Sequence, residues 1–378
     1  MNNTDLSPAL SNPITEARFA PVYQILADAI QNRAFPGCAF GVLSGGTVVL
    51  QDALGRFTYD EAADSVTPET AFDIASITKV VATTAAAMLL YQRGVLELDT
   101  LLGELLPGFV VGRSPGEFAR HVKIRHLLSH NSGLPGYIEL FRTSPTPDAL
   151  YRACLQLPLE AEPGARAEYS DPGFILLGKA LEVLTRTPLD SFVDDEIVRP
   201  LGLSSTAFNP PNRARPFIPP TEDDTTFRHR SIQGEVQDEN AWVLKGVAGH
   251  AGLFSNVPDL LRFSHEILGA SLVGSADPTI FTRESVQVFA ERQGPPGSSR
   301  ALGWDAPSAD SSAGNLFSSH SIGHLGFSGC SLWIDLDASI VAVLLTNRTW
   351  PDRQSQLIRQ VRPAYHNAVR NALLESHK

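Results

Sequence analysis

Strand-forming residues in this 378-residue chain are concentrated at its two ends, and that constrains its fold more than any other feature. Near the start, Ala39 to Leu43 and Thr47 to Leu50 are short β-prone runs joined through Ser44-Gly45-Gly46, a hairpin signal because glycine accepts positive φ. Near the end, Ser331 to Ile334 and Ile340 to Leu345 have the same character. Helical spacing flanks both. Val22, Ile25, Leu26, Ala29 and Ile30 predict a helix that ends before Phe35-Pro36-Gly37, and Leu357, Val361 and Ala368 share one face of a C-terminal helix that Pro363 is expected to kink or divide. The long middle segment is helical in pattern, poor in strand signals and broken at Pro135-Gly136, Pro163-Gly164 and Pro210-Pro211. The economical architecture is a discontinuous domain of residues 14–75 and 315–378, a sheet covered by the terminal helices, with a mainly helical domain of residues 76–314 inserted. The stretch from Gln293 to Gly314, rich in Gly, Pro and Ser, is expected to be a surface loop.

Charge and cysteine usage narrow the function classes. A formal net charge of −11 disfavours a general nucleic-acid or anionic-membrane partner and leaves small-molecule or short-peptide substrates open. No run of eighteen apolar residues predicts a membrane span, and Met1 to Ala20 lacks the apolar core of a secretory leader, so a cytoplasmic protein is expected. Cys38, Cys154 and Cys330 are too few and too scattered for a disulfide framework or a metal knuckle, and Cys154 and Cys330 are expected to act as small core residues.

The chemistry begins at Phe72-Asp73-Ile74-Ala75-Ser76-Ile77-Thr78-Lys79, which runs into the apolar stretch Val80 to Leu90. Ser76 therefore opens a buried helix, and a lysine three residues on shares its face. A serine hydroxyl is a weak nucleophile until a neighbour takes its proton, and a helix N-terminus favours the negative charge that develops there. Alone, this spacing fits an N-cap serine and a solvated lysine equally well. Two later segments add weight: Glu162-Pro163-Gly164 followed by Tyr169-Ser170-Asp171, and Gly323-His324-Leu325-Gly326-Phe327-Ser328-Gly329 just before a predicted strand.

In that order these three segments resemble the serine β-lactamases and penicillin-binding proteins, closest to the class C and esterase-like branch. Ile124-Arg125-His126-Leu127-Leu128-Ser129-His130-Asn131-Ser132-Gly133-Leu134-Pro135 and Arg199-Pro200-Leu201-Gly202-Leu203-Ser204-Ser205-Thr206 are similar to framework segments of the family. The resemblance implies an α+β fold of the β-lactamase/DD-peptidase type, an antiparallel sheet flanked by terminal helices with an inserted helical domain. It also implies Ser76 as nucleophile, Lys79 as base or proton relay, Tyr169 as proton-exchanging partner, and an oxyanion hole from the backbone N–H groups of Ser76 and Phe327. No cofactor or metal is implied.

Two departures bear on the substrate. Asp171 stands where class C enzymes carry asparagine; a carboxylate accepts hydrogen bonds but cannot donate an amide proton, and it favours a charged Lys79. That shifts the proton-accepting burden toward Tyr169 or requires Asp171 to be turned away or protonated. His324-Leu325-Gly326 replaces Lys-Thr-Gly, removing two groups that would hold a substrate carboxylate. His324 is expected in the site as a neutral donor near the oxyanion, or as a packing residue. Gly234 to Ala241 and Gly246 to Phe254 are similar to a branch associated with muropeptide breakdown, with Asn240 and His250 as candidate substrate contacts; as ordinary loop residues these would satisfy backbone groups instead. Asp238, Glu239 and His250 lack metal-ligand spacing, and His121, His126 and His130 are expected to pack. The sequence thus predicts a serine hydrolase acting through an acyl-enzyme on an amide or ester, a cell-wall-derived muropeptide or a small ester, leaving room for weak β-lactamase activity. The competing class is a non-catalytic receptor or binding protein that keeps the penicillin-binding fold.

Overall fold

The computed structural model describes residues 17–114, 116–272 and 280–374; the first residues of the chain, on which the absence of a leader was read, lie outside them. Its strands are β1 (Gly37–Ser44), β2 (Thr47–Gly55), β3 (Phe72–Asp73), β4 (Ala207–Phe208), β5 (Glu222–Asp224), β6 (Arg230–Ile232), β7 (Leu253–Ser255), β8 (Ser321–Leu325), β9 (Ser331–Asp335) and β10 (Ile340–Thr346). The two chain ends meet in one five-stranded sheet of order β2-β1-β10-β9-β8, every neighbouring pair antiparallel. In β10, Val341, Val343 and Leu345 face the larger core, while Ile340, Ala342 and Leu344 face the terminal helices. A strand covered on both faces has no polar side, so it reads as a continuous apolar run, and this is why β1 and β10 are visible in the sequence.

The helix Ala20–Gln31 buries Val22, Leu26 and Ala29 against the sheet, and it packs beside the C-terminal helix Ile358–Leu374. That second helix runs on through Pro363, so the chain is not divided there. Pro363 is its sixth residue, so the ring meets only the first turn, and Tyr365 and Val369 anchor the remainder in the core. The opposite face of the sheet is covered by the helix Val257–Ser271, which approaches so closely that a Cβ on Gly41 would lie 2.4 Å from Val257.

The middle segment contributes helices that include Pro147–Gln156 and Asp171–Thr185, together with short strands. The sequence pattern misses β3, β4 and β7, which form a three-stranded sheet, and the hairpin β5–β6. Strands of two or three residues are too short to show a period. Edge strand β8, Ser-Ile-Gly-His-Leu, is missed for its weak β composition; Gly323 there makes room for the indole of Trp333, to which a Cβ would come within 2.4 Å. No helix among the described residues is long and apolar enough to cross a membrane. All three cysteines are buried and free, and Cys154 and Cys330 pack into the larger core as expected.

Candidate active site

The chain enters the site through a strained turn. β3 ends at Asp73, and Ala75 follows with φ 47°, a left-handed conformation unusual for a residue with a side chain. Asp73 holds it there: one carboxylate oxygen accepts the Ala75 N–H at 2.8 Å and the other the Gln237 N–H at 2.7 Å. Burial pushes the Asp73 carboxyl up to about 6 despite these two bonds. Ser76 then sits on a single 3₁₀ turn, Ala75–Ile77, which continues through the π-wound Lys79–Thr84 into the helix Ala85–Gln92. Every residue from Ile77 to Leu90 is buried, so the lysine is carried into the interior by its apolar neighbours.

Lys79 is fully enclosed, and its ammonium donates to Ser76 Oγ at 3.0 Å, to Asp171 Oδ1 at 2.6 Å and to the His250 carbonyl at 3.1 Å. Burial acts to lower its pKa, but the hydrogen-bonded Asp171 carboxylate, with Tyr169 nearby, outweighs burial and holds the amine above the usual lysine value. Asp171 is therefore turned toward the lysine. Tyr169 completes the cluster: its ring centroid lies 4.8 Å from the Lys79 ammonium, and burial raises the phenol above its ordinary value, outweighing the lowering by Lys79.

Tyr169 is fixed from behind. The His130 ring stacks on it with centroids 4.6 Å apart and on Phe174 at 4.9 Å, while its Nδ1 accepts the Ser170 N–H at 3.0 Å. The Ser170 hydroxyl caps the helix Asp171–Thr185. His130 packs, as its framework segment suggested, and what it packs against is the site tyrosine. The guanidinium of Arg300 lies 5.2 Å from the same ring centroid, with Asp305 at 3.7 Å. Both belong to the stretch 293–314 that the sequence reading placed on the surface. Instead Ala301, Leu302 and Trp304 are buried, and Gly303 (φ 83°) comes so close to the lysine helix that a Cβ would meet Thr84 Oγ1 at 1.9 Å. The four-residue block Ala-Leu-Gly-Trp was the available signal, hidden by its Gly, Pro and Ser surroundings.

The turn between β8 and β9 closes over Ser76. Gly326 has no Cβ to strike the Ile74 carbonyl, which would lie at 2.5 Å, and the Ser328 hydroxyl donates to the Asp73 carbonyl at 2.7 Å. The turn's own bonds run from Gly326 N–H to the Cys330 carbonyl and from Gly329 N–H to the Gly326 carbonyl, so none of them engages the Phe327 N–H. His324 donates from Nδ1 to the Leu325 carbonyl at 2.8 Å, and burial drives its pKa far below the ordinary value. A neutral ring with Nδ1–H carries its lone pair on Nε2, which is buried and has no hydrogen-bond partner among the described residues. Of the two expected roles, a neutral donor near the oxyanion or a packing residue, this enclosed ring is nearer the second, although it lines the site.

Ser76, Tyr169, Asp171, His324, Gly326 and Phe327 all line one cavity of about 640 Å³, with Arg300, Arg348, Arg353, Arg359 and Arg362 on its walls. Asn240 and His250 do not. Asn240 Oδ1 accepts from the Phe141 N–H at 2.9 Å and Nδ2 donates to the Ile138 carbonyl at 2.8 Å, so its amide anchors a loop. His250 is buried with Nε2 2.9 Å from Asp238, and it serves the site through the carbonyl that holds Lys79. Burial would raise Asp238, but His250 and the Ala241 N–H hold it at about 2. No group of three or more metal-ligating side chains occurs among the described residues.

Comparison with known proteins agrees with this architecture. A family model described as "Beta-lactamase" matches residues 22–365. A Salmonella typhi protein named "Putative D-alanyl-D-alanine carboxypeptidase" is 30% identical over 358 residues, covering 84% of this chain and 81% of its own. Among solved structures, EstCE1, described as a hydrolase with promiscuous acyltransferase activity, superposes with a TM-score of 0.74 at 24% identity over 93% of this chain and 100% of its own. A penicillin-binding protein homologue from Caulobacter crescentus gives 0.74 at 18% identity over 94% and 97% of the two chains.

Proposed function

The chain belongs to the β-lactamase family of serine hydrolases, and on that premise we propose that it cleaves an amide or ester through an acyl-enzyme on Ser76, with a cell-wall-derived muropeptide or a small ester as substrate. The observation that carries this reading is the Ser76–Lys79–Asp171 relay at the cavity floor, 3.0 and 2.6 Å long, with Tyr169 beside it. Lys79 rests charged, so it cannot accept the serine proton unaided. As Ser76 Oγ attacks the carbonyl carbon, the Lys79 ammonium passes a proton to the Asp171 carboxylate and takes the serine proton in its place. The charge lost from Asp171 reappears on the substrate oxygen, facing the N–H groups of Ser76 and Phe327. Collapse breaks the scissile bond as the Tyr169 phenol donates its proton to the departing nitrogen or oxygen, and Lys79 reprotonates Tyr169. Asp171 returns its proton to Lys79, and water then attacks the acyl carbon by the same relay.

His324-Leu325-Gly326 lacks the lysine and threonine groups that would hold a substrate carboxylate, which favours a peptide, amide or ester without one. A panel of a muramoyl-L-alanine peptide, a D-Ala-D-Ala peptide, a nitrophenyl ester and a chromogenic cephalosporin tests the ranking. Turnover of a peptide or the ester well above that of the cephalosporin is expected; turnover of the cephalosporin alone would overturn the assignment.

Asp171 supplies a second prediction. In Asp171→Asn the group that raises Lys79 is gone while burial still lowers it, so free amine forms at lower pH. Having lost the carboxylate that accepts the relayed proton, the variant reacts only through that free amine, so kcat/KM drops at neutral pH and recovers as pH rises. A pH profile identical to wild type contradicts the relay.

A further inference from the structure

Arg362 lies on the C-terminal helix Ile358–Leu374, 7% exposed, and its guanidinium contacts the site from behind the β8–β9 turn. Nη2 donates to the Gly326 carbonyl at 2.6 Å and to the Cys330 carbonyl at 2.8 Å, and Nε donates to the Gly329 carbonyl at 3.2 Å. Among the described residues no carboxylate pairs with it, unlike Arg353, which meets Glu222 and Glu239. A buried cation balanced only by carbonyl dipoles is costly, since desolvation alone exceeds what neutral acceptors return. Burial lowers its pKa to about 10, so it remains charged at neutral pH.

The carbonyl of Gly326 and the N–H of Phe327 belong to one peptide unit. A cation on the oxygen draws electron density through the amide, increases the C–N double-bond character and leaves the N–H a stronger donor. The geometry points to Arg362 as a positioning residue for acyl transfer: its charge polarises the Gly326–Phe327 peptide and so strengthens the oxyanion donor on the far side of that peptide. This rests on the reading of Phe327 N–H as such a donor. A peptide staple without an electrostatic role would need only hydrogen bonds, which a neutral side chain can also supply.

Removing an entire oxyanion donor costs roughly a hundred- to a thousandfold in kcat, so weakening one is expected to cost about ten- to thirtyfold. Arg362→Gln keeps donors and loses the charge; kcat falls by that factor, KM stays within about twofold, and a boronic acid that forms a tetrahedral adduct binds correspondingly more weakly, while a non-covalent product analogue binds as before. Arg362→Lys keeps the charge, and kcat and boronate affinity stay within about threefold of wild type. Arg362→Gln turning over at the wild-type rate overturns the inference. So does a folded Arg362→Lys that loses kcat tenfold or more with unchanged melting temperature, and this variant decides the matter should Arg362→Gln not fold. Ser76→Ala, assayed in parallel, separates the two levels: hydrolysis by Ser76→Ala defeats the function proposed above, whereas an inactive Ser76→Ala beside an unaffected Arg362→Gln defeats only the role of Arg362.

Discussion

Replacing Lys79 by methionine is expected to lower kcat/KM by roughly a thousandfold and to destabilise the protein by about 3–5 kcal/mol. Both effects have one cause. The lysine ammonium is fully buried, it is the hydrogen-bond donor to Ser76 Oγ, and it is the cation against which the Asp171 carboxylate rests. Methionine fills much of the same volume, so loss of packing contributes little. What remains is a nearly buried carboxylate with no counter-charge and a serine with no proton relay. The double variant Lys79→Met/Asp171→Asn separates the two, since removing the stranded charge restores most of the stability and none of the activity. Chemical denaturation and steady-state kinetics measure both. Equal stability of the single variant and wild type would contradict the ion-pair account. Because folding raises Lys79 above the ordinary 10.5, the pair's contribution is complete at neutral pH and is lost only as pH climbs through the folded-state value.

Ser76→Ala is expected to abolish turnover, by roughly a millionfold if Ser76 is the nucleophile of an acyl-enzyme, with little change in stability. Ser76 is only partly buried, and its hydroxyl accepts from Lys79, which keeps Asp171 and the His250 carbonyl as other partners. Deleting a hydroxyl from such a position leaves no large cavity and no isolated charge. The ratio of lost activity to lost stability therefore distinguishes a reacting group from a structural one. A melting temperature within a few degrees of wild type, with turnover at background, is the expected pair of results.

The parts of this site that were legible in the sequence are those with a fixed local spacing. Ser76 and Lys79 are three residues apart, and Tyr169 and Asp171 two apart, so short-range pattern exposes them once the family order is recognised. The strands β1 and β10 were legible because both faces are covered, which makes the whole run apolar. The supports were not legible, because each acts across a long stretch of chain on a backbone atom. Asp73 receives the N–H of Gln237, His250 gives its carbonyl to Lys79, and Arg362 caps carbonyls of the β8–β9 turn. Backbone partners leave no mark on residue identity. Asn240 shows the converse: a polar residue in a motif-like segment whose amide is taken up by Phe141 and Ile138 of a distant loop. Arg300 was concealed by composition, since glycine, proline and serine around it imitate a surface loop while Leu302 and Trp304 pack inward.

Nucleophilic attack by Ser76 on an acyl carbon is the central claim, and reaction with an activated phosphonate ester tests it most directly. Attack of Ser76 Oγ on phosphorus expels the phenolate leaving group and forms a stable ester, which intact-protein and peptide mass spectrometry locate. One phosphonyl group per chain is expected on the peptide containing Ser76, formed slowly or not at all in Lys79→Met and absent in Ser76→Ala. An unmodified Ser76 under excess probe, in a preparation that still hydrolyses its substrate, would contradict it.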